Sequence, residues 1–241
     1  MKIIDKLDKK FSDSLTESQN NEISSLEGIG REEHYFGGVQ LANVVKDGEN
    51  IGWSKGSYKG SGVCQTTTDF NNWKTVVNHF KPEIFFEFGV ARGGNMVYIN
   101  DLIKQYSINS SVIGFDIKDD RDDVVKKNDK LSFHLTNSIS EETYDIVSKV
   151  IKNNPNKKCM IHFDDHHASS HVFKELNIYS KLLKKGDCII VGDTWDEGWY
   201  ESPYQALKNF LNQNDDFVFE ENIHKKMEMP CNWIFGILTK N

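Results

Sequence analysis

The stretch Glu87-Phe88-Gly89-Val90-Ala91-Arg92-Gly93-Gly94-Asn95 decides how this chain is read. It follows the apolar run Ile84-Phe85-Phe86 and opens a segment, Asn95 to Tyr106, whose apolar residues recur at helical spacing. A glycine-rich turn between a strand and a helix lets the backbone approach a ligand closely and aims N–H groups at it. In an open α/β sheet such a turn lies at the carboxyl ends of the strands, where ligands bind at the switch in strand order. An acid to hold ribose hydroxyls is then expected about twenty residues further on. Asp116, which closes Val112-Ile113-Gly114-Phe115, meets that requirement. The plainer alternative is a tight turn that needs glycine for packing alone.

Outward from this turn, short apolar runs alternate with helical patterns. Leu131 to Leu135, Cys159-Met160-Ile161-His162-Phe163 and Cys188-Ile189-Ile190-Val191 read as further strands. Glu141 to Lys152, Ala168 to Leu183 ended by Gly186, and Pro203 to Leu211 with its proline at N1 read as helices. Phe217 to Phe219 and Trp233 to Leu238 follow one another with no amphipathic helix between them, the mark of an antiparallel edge. The expected fold is therefore α/β: a mostly parallel, seven-stranded sheet with an antiparallel C-terminal edge and helices on both faces. Upstream of Lys81 the pattern weakens, and nine glycines fall between Gly28 and Gly62. Only Asp69 to His79 reads clearly as a helix, with Asp69 as its N-cap. Two units are expected: residues 1–80 as an irregular and helical extension with the composition of a lid, and residues 81–241 as the α/β domain.

Composition narrows the functions. With a net charge of −7 over 241 residues, the chain is ill suited to neutralising nucleic-acid phosphates, so no nucleic-acid partner is expected. No run approaches the roughly 18 to 20 apolar residues of a membrane span. Met1 to Asn21 has no apolar core, so it does not read as a signal peptide. Cys64, Cys159, Cys188 and Cys231 form no C-x-x-C pair and read as reduced thiols in a cytoplasmic protein.

The turn lacks the G-x-G-x-x-G of NAD-binding folds, because Val90-Ala91 follow Gly89. It is not a P-loop either, because Asn95 and Met96 stand where Lys and Ser/Thr would be. An acid at Glu87 is unhelpful beside a pyrophosphate but useful beside an ammonium. The spacing E-x-G-x-x-x-G-G followed by a strand-end acid resembles the first two motifs of class I S-adenosylmethionine-dependent methyltransferases.

A second concentration of chemistry is Asp164-Asp165-His166-His167-Ala168-Ser169-Ser170-His171, after the Cys159–Phe163 run, joined by Asp193 after the fifth strand. Three readings compete. Asp164 or Asp165 contacts the cofactor while His166 or His167 removes a proton from an acceptor hydroxyl, as an imidazole with a pKa near 6.5 can. The cluster binds a metal, with His167 and His171 sharing a helix face. Or the aspartates cap the next helix and the histidines are solvated.

Taken together, Phe86-Glu87-Phe88-Gly89-Val90-Ala91-Arg92-Gly93-Gly94, Gly114-Phe115-Asp116-Ile117, Asp164-Asp165-His166-His167-x-x-x-His171-Val172-x-x-Glu175-Leu176, Lys185-Gly186-Asp187 and Gly192-Asp193-Thr194 resemble the O-methyltransferase family often labelled cephalosporin hydroxylase, with its rhamnosyl O-methyltransferase relatives. The resemblance spans about residues 58 to 240. It implies a Rossmann-like class I methyltransferase fold and methyl transfer from S-adenosylmethionine to a hydroxyl of a small polar acceptor, plausibly a sugar or nucleotide-linked sugar. It further implies that Glu87, Gly89, Arg92 and Gly93 surround the methionine part of the cofactor, that Asp116 holds the ribose, that Asn137 and Ser138 lie at the adenine, and that Asp164 lies near the amino-acid end. Self-association is common among proteins of this fold. Relatives hold a divalent cation through an Asp at the position of His166 and a Glu-Asp pair, of which this chain keeps only Asp193 and has Gly192 instead of the Glu. Losing two oxygen ligands weakens Mg²⁺ binding, and a site of Asp164, His166 and Asp193 would suit a transition metal better. Catalysis then falls on His167 or His166, with Asp164. Trp195-Asp196-Glu197-Gly198-Trp199-Tyr200-Glu201, with Trp53 and Tyr58, is the expected acceptor-binding surface. A metal-dependent hydrolase using Asp164, Asp165, His166, His167 and His171 is the alternative from another class. A non-catalytic cofactor-binding protein is a third.

Overall fold

The computed structural model describes residues 43–46, 49–52, 56–65, 67–194, 202–228, 231–233 and 235–241. Most of residues 1–55, and with them Trp53, lie outside the described residues, as does the acceptor-surface segment 195–201.

Four short strands come first: β1 (Asn43–Lys46), β2 (Glu49–Gly52), β3 (Ser57–Tyr58) and β4 (Ser61–Gly62), in the order β2-β1-β3-β4. Irregular loops were the expectation here. The β3–β4 turn shows why strands form: Lys59 and Gly60 hold φ of +49° and +81°, the pair of positive angles that closes a two-residue hairpin. Next come α1 (Thr67–Phe80), β5 (Ile84–Phe88), α2 (Gly94–Gln105), β6 (Ser111–Asp116), α3 (Asp123–Lys126) and β7 (Leu131–Leu135). They are followed by α4 (Glu141–Asn153), β8 (Cys159–Phe163), α5 (Ser169–Tyr179), β9 (Cys188–Val191), α6 (Pro203–Gln213), β10 (Phe217–Phe219), α7 (Glu221–His224) and β11 (Ile237–Lys240).

The main sheet has seven strands in the order β10-β11-β9-β8-β5-β6-β7. Strands β7, β6, β5, β8 and β9 are parallel, and β11 runs antiparallel to both β9 and β10. Right-handed crossovers place α2 on one face and α4 and α5 on the other. The strand order reverses beside β5, whose neighbours are β6 and β8, so the ligand-binding crevice belongs at the carboxyl ends of these three strands. Every residue of β5, β8 and β9 is buried, as covering on both faces requires. Trp73 of α1 packs against Trp233 within the same core, ring centroids 4.8 Å apart and tilted by 43°, so α1 is part of the domain's packing.

Three element boundaries differ from the periodicity. Helix α1 begins two residues before Asp69, which does not cap it; the buried Asp69 carboxylate accepts the Asn232 N–H at 2.8 Å instead. Helix α5 ends at Tyr179, and the chain reaches Gly186 (φ +84°) through a further turn whose Lys184 N–H is held by Asp187 at 2.9 Å. The last strand starts at Ile237 rather than Trp233, after a turn in which Gly236 donates to the Trp233 carbonyl at 2.9 Å. A Cβ at Gly236 would lie 2.0 Å from the Val191 carbonyl oxygen, so only glycine lets β11 enter this close to β9.

Candidate active site

A cleft opens at the carboxyl ends of β5, β6, β7 and β8, lined among others by Gly89, Ala91, Asp116, Asn137, Ser138 and Asp164. Gly89 holds φ at +88°, and a Cβ there would fall 2.2 Å from the Asp164 carbonyl oxygen and 2.6 Å from the Asp165 Cα. The glycine is thus demanded twice, by the left-handed backbone and by the crossing of the turn against the end of β8. Ala91 is also left-handed, at φ +46°. Asp116 organises the turn: one carboxylate oxygen accepts the N–H groups of Val90 and Ala91, both at 2.9 Å, and the other accepts from Lys118 N at 3.1 Å. A carboxylate offers about four lone-pair sites, so Asp116 retains capacity for a ligand's hydroxyls. These features fit a nucleoside-bearing cofactor.

Three residues that the resemblance assigns to the cofactor stand outside the cleft lining. Glu87 is buried beneath the turn, where it accepts from Asn95 Nδ2 at 2.6 Å and faces His162 Nδ1 at 3.6 Å. Its register on β5 sets this: the side chain points into the sheet's face, and the strand ends one residue later. Arg92 turns outward and grips Asp122 through Nη2 at 2.8 Å and Nε at 3.1 Å. Asp122 also accepts Gly62 N at 2.7 Å, and Ser61 Oγ donates to the Arg92 carbonyl at 2.8 Å, so the β3–β4 hairpin docks on the back of the turn. Gly93, at φ +88°, packs against Val125, where its Cβ would meet the valine methyls at 2.8 Å. Asn137 and Ser138 do line the cleft, together with Ile117 and Thr136, which the sequence reading did not single out. An apolar residue directly after the strand-end acid was the available signal, and Ile117 is 73% exposed in the fold.

The Asp–His segment splits into two clusters, because successive residues leaving a strand point to opposite sides. In the first, the ligand atoms of Asp164, His167 and Asp193 lie within 4.8 Å of one another. His167 Nδ1 contacts Asp193 Oδ2 directly. Asp193 is 5% exposed and holds φ at +50°, an orientation that aims its carboxylate at the imidazole. Burial, then the neighbouring Asp193 charge, push the Asp164 carboxyl well above the usual range, against the opposing pull of His167. Gly192 explains how Asp164 fits: a Cβ there would fall 2.5 Å from Asp164 Oδ1, so the carboxylate fills space that a side chain at 192 would occupy. His166, expected beside Asp164 and Asp193, is not part of this trio but lines the cleft together with Asp164. Its Nδ1 accepts from Ala168 N at 3.2 Å and its ring stacks on His171 at 4.7 Å. Neither aspartate caps α5, whose N-cap is Ala168.

The second cluster joins β8 to α5. Ser138 Oγ donates to Asp165 Oδ2 at 2.6 Å and lies 2.9 Å from His171 Nε2. His171 Nε2 lies 3.4 Å from Asp165 Oδ2 and 3.6 Å from Glu175 Oε1. Contacts to Asp165 and Glu175 raise His171 to about 9, against the effect of burial. Burial raises Glu175 to about 8. Burial alone would raise Asp165 too, but hydrogen bonds from His171 and Ser138 outweigh it and hold the carboxyl down at about 2. Tyr179 donates its hydroxyl to the Ser138 carbonyl and so ties the β7–α4 turn to α5.

No helix among the described residues is long and apolar enough to cross a membrane. The family model for Rhamnosyl O-methyltransferase/CmcI matches residues 51–238. A rhamnosyl O-methyltransferase of Mycobacterium tuberculosis is 22% identical over 201 residues, covering 80% of this chain and 81% of that protein. The enzyme of the same name from Mycobacterium leprae is 20% identical over 167 residues, covering 67% and 72%. Among solved structures, a CmcI structure with Mg and SAM superposes with a TM-score of 0.62 at 17% identity, covering 82% of this chain and 81% of that one. An apo-structure of CmcI gives 0.63 at 18% identity, covering 81% and 80%. The seven-stranded order, the glycine turn with its strand-end acid and a family match across most of the chain agree: this protein belongs to the rhamnosyl O-methyltransferase/CmcI family of methyltransferases.

Proposed function

We propose that this enzyme transfers the methyl group of S-adenosylmethionine to a hydroxyl of a small, sugar-bearing acceptor, with His167 as the base. The observation that carries the reading is the His167–Asp193 pair grouped with Asp164, which lines the cleft built by Gly89 and Asp116. Asp193 accepts from Nδ1, which fixes the tautomer and makes Nε2 the basic nitrogen. The acceptor oxygen attacks the methyl carbon as the carbon–sulfur bond breaks. Its proton passes to His167 Nε2, and the products are an ether and S-adenosylhomocysteine. A base of this kind supplies about 10² to 10⁴ in rate, and alignment of sulfur, methyl and oxygen supplies the remainder. Asp116, held in place by the turn amides of Val90 and Ala91, binds the nucleoside, and Asn137 and Ser138 border its base. Gly89 keeps the backbone close to the methionine part, with Asp164 at its end. Glu87, Arg92 and Gly93 shape the turn from behind. The sugar follows the names of the curated relatives.

One observation favours a second reading of the same trio. Two carboxylates and an imidazole within 4.8 Å suit a divalent cation. Asp164, Asp193 and His167 would hold it, and when bound it would lower the pKa of the acceptor hydroxyl, leaving His167 a ligand rather than a base. The hydrolase alternative has only the acid–histidine clusters in its favour, while the cleft and the family favour methyl transfer. We further place the enzyme in the cytoplasm, in keeping with its free cysteines, without a nucleic-acid partner and able to self-associate. The boundary expected near residue 80 moves to before α1, which packs in the α/β core, and the segment that precedes α1 acts as cover, a role that the docking of Ser61 and Gly62 on the turn supports.

Calorimetric titration of S-adenosylmethionine, with NAD⁺ as control and with or without EDTA, tests the reading. Micromolar binding that ignores EDTA, followed by methylation of rhamnosyl acceptors, is expected for the base. Turnover abolished by EDTA would shift His167 to the ligand role, and absence of cofactor binding would overturn the proposal.

A further inference from the structure

The second cluster has a property that methyl transfer does not use. Glu175 is fully buried in α5, and neither of its carboxylate oxygens finds a hydrogen-bond partner. Asp165 Oδ1 is likewise buried without one. Buried carboxylates are retained when they are hydrogen-bonded, paired or bound to a metal. His171 sits between the two acids, one helical turn before Glu175; its Nε2 lies 2.9 Å from Ser138 Oγ, 3.4 Å from Asp165 and 3.6 Å from Glu175, which leaves Glu175 beyond normal hydrogen-bond reach.

Those separations match another geometry. Metal–ligand bonds of about 2.0–2.1 Å set neighbouring donors of a tetrahedron about 3.4 Å apart. One ligand atom from each of Asp165, His171 and Glu175 lies within 4.8 Å of the other two. We propose that Asp165, His171 and Glu175 form a second divalent-metal site, of the Zn²⁺ class, separate from the Asp164–His167–Asp193 trio. An imidazole and two carboxylates are a borderline donor set that suits Zn²⁺ better than Mg²⁺. Metal binding displaces the protons of its ligands, after which two carboxylates offset the cation and the imidazole binds it neutral.

The surroundings fit the outer shell of such a site. Ser138 Oγ, 2.6 Å from Asp165 Oδ2, orients that ligand from outside, and the His166 ring, stacked on His171 at an interplanar angle of 17°, holds the imidazole plane. The metal would join the end of β8 to α5. Through Ser138 it would also fix the turn after β7 that borders the cleft. Asp165 and His171 line the cleft, so the metal would brace its wall, and it does not depend on the identity of the methyl acceptor.

The test uses tag-free full-length protein, stripped by chelator, titrated with Zn²⁺ and analysed for bound metal after desalting. The Asp193→Asn background removes the trio as a Zn²⁺ site. One equivalent of Zn²⁺ retained in that background, falling below a tenth on adding Glu175→Gln or His171→Ala, is the expected result. Co²⁺ in the Asp193→Asn protein should give tetrahedral visible absorption bands that vanish with His171→Ala. If the Glu175→Gln chain does not fold, the folded His171→Ala chain answers the same question. No Zn²⁺ in the Asp193→Asn protein, or Zn²⁺ undisturbed by both second substitutions, would overturn the proposal. Neither result depends on S-adenosylmethionine binding, so failure here is distinguishable from failure of the methyl-transfer reading.

Discussion

Replacing Gly89 by alanine tests the claim that the turn after β5 and the end of β8 are one mechanical unit. The new Cβ would stand 2.2 Å from the Asp164 carbonyl oxygen, about 1.2 Å inside the 3.4 Å of an ordinary contact. The obstacle is backbone, so no side chain can swing away. A left-handed residue other than glycine costs about 1–2 kcal/mol, and forced overpacking adds about 1–3 kcal/mol. The sum, about 2–5 kcal/mol, corresponds to a Tm loss of roughly 5–15 °C for a domain this size. A shift near 1 Å in Asp164 and Asp165 also misplaces the cleft, which lowers turnover about 10²-fold. Gly186→Ala is the control: its φ of +84° carries the same backbone strain, but nothing lies within 4 Å of its Cβ. It should lose only about 1–2 kcal/mol and bind S-adenosylmethionine as the parent does. Thermal melts and calorimetry on both variants decide the matter. If Gly89→Ala melts within 2 °C of Gly186→Ala and binds cofactor normally, the close crossing does not shape the site (the 2 °C margin is about the effect of 1 kcal/mol).

Asp193→Asn should lower kcat by about 10² to 10⁴ while leaving the KM for S-adenosylmethionine nearly unchanged, and adding His167→Ala should cost little more; additive losses would refute a working pair. Arg92→Ala removes an exposed ion pair with Asp122, so stability should fall by less than about 1 kcal/mol and cofactor affinity should hold within about threefold in calorimetry; a hundredfold loss would restore Arg92 to the cofactor site. His224, stacked on Phe219 at 4.0 Å, is pushed down to about 3 by burial. Below pH 6.5 the unfolded chain takes up a proton that the folded chain refuses, so stability falls by about 1.4 kcal/mol per pH unit. Melts at pH 7.5 and 5 should show His224→Gln losing about 2 kcal/mol less across that interval than the parent, and equal acid slopes would refute this.

The sheet was readable because its signals are local. Apolar runs broken only by Glu87 and His162 mark β5 and β8, an unbroken one marks β9, and helices between parallel strands leave few topologies open. Pro203 opened α6 as its fixed φ requires. What escaped was three-dimensional. Nothing in the residue order shows that Asp69 serves Asn232, 163 positions away. Within Asp164–His171 the residue types announced chemistry, but which histidine meets Asp193 depends on how the chain leaves β8, and there the spacing is silent. Glu87 looked like a ligand for an ammonium because its distance from Gly89 is right, while its burial follows from the pleat of β5. Arg92 found Asp122 in a loop thirty residues on. Gly192 read as a lost ligand, whereas in space it is the room that Asp164 uses.

Gly236 ties the chemistry to a strand that takes no part in it. Val191 donates to the Gly236 carbonyl at 2.9 Å, and its own carbonyl lies where any side chain at 236 would begin. Two residues later the same chain presents Asp193. A substitution at 236 would therefore act as a wedge under β9 and tilt the acid that steers His167. Screens for lost activity should find this position, 43 residues from Asp193 in sequence, among those that damage turnover without touching any ligand.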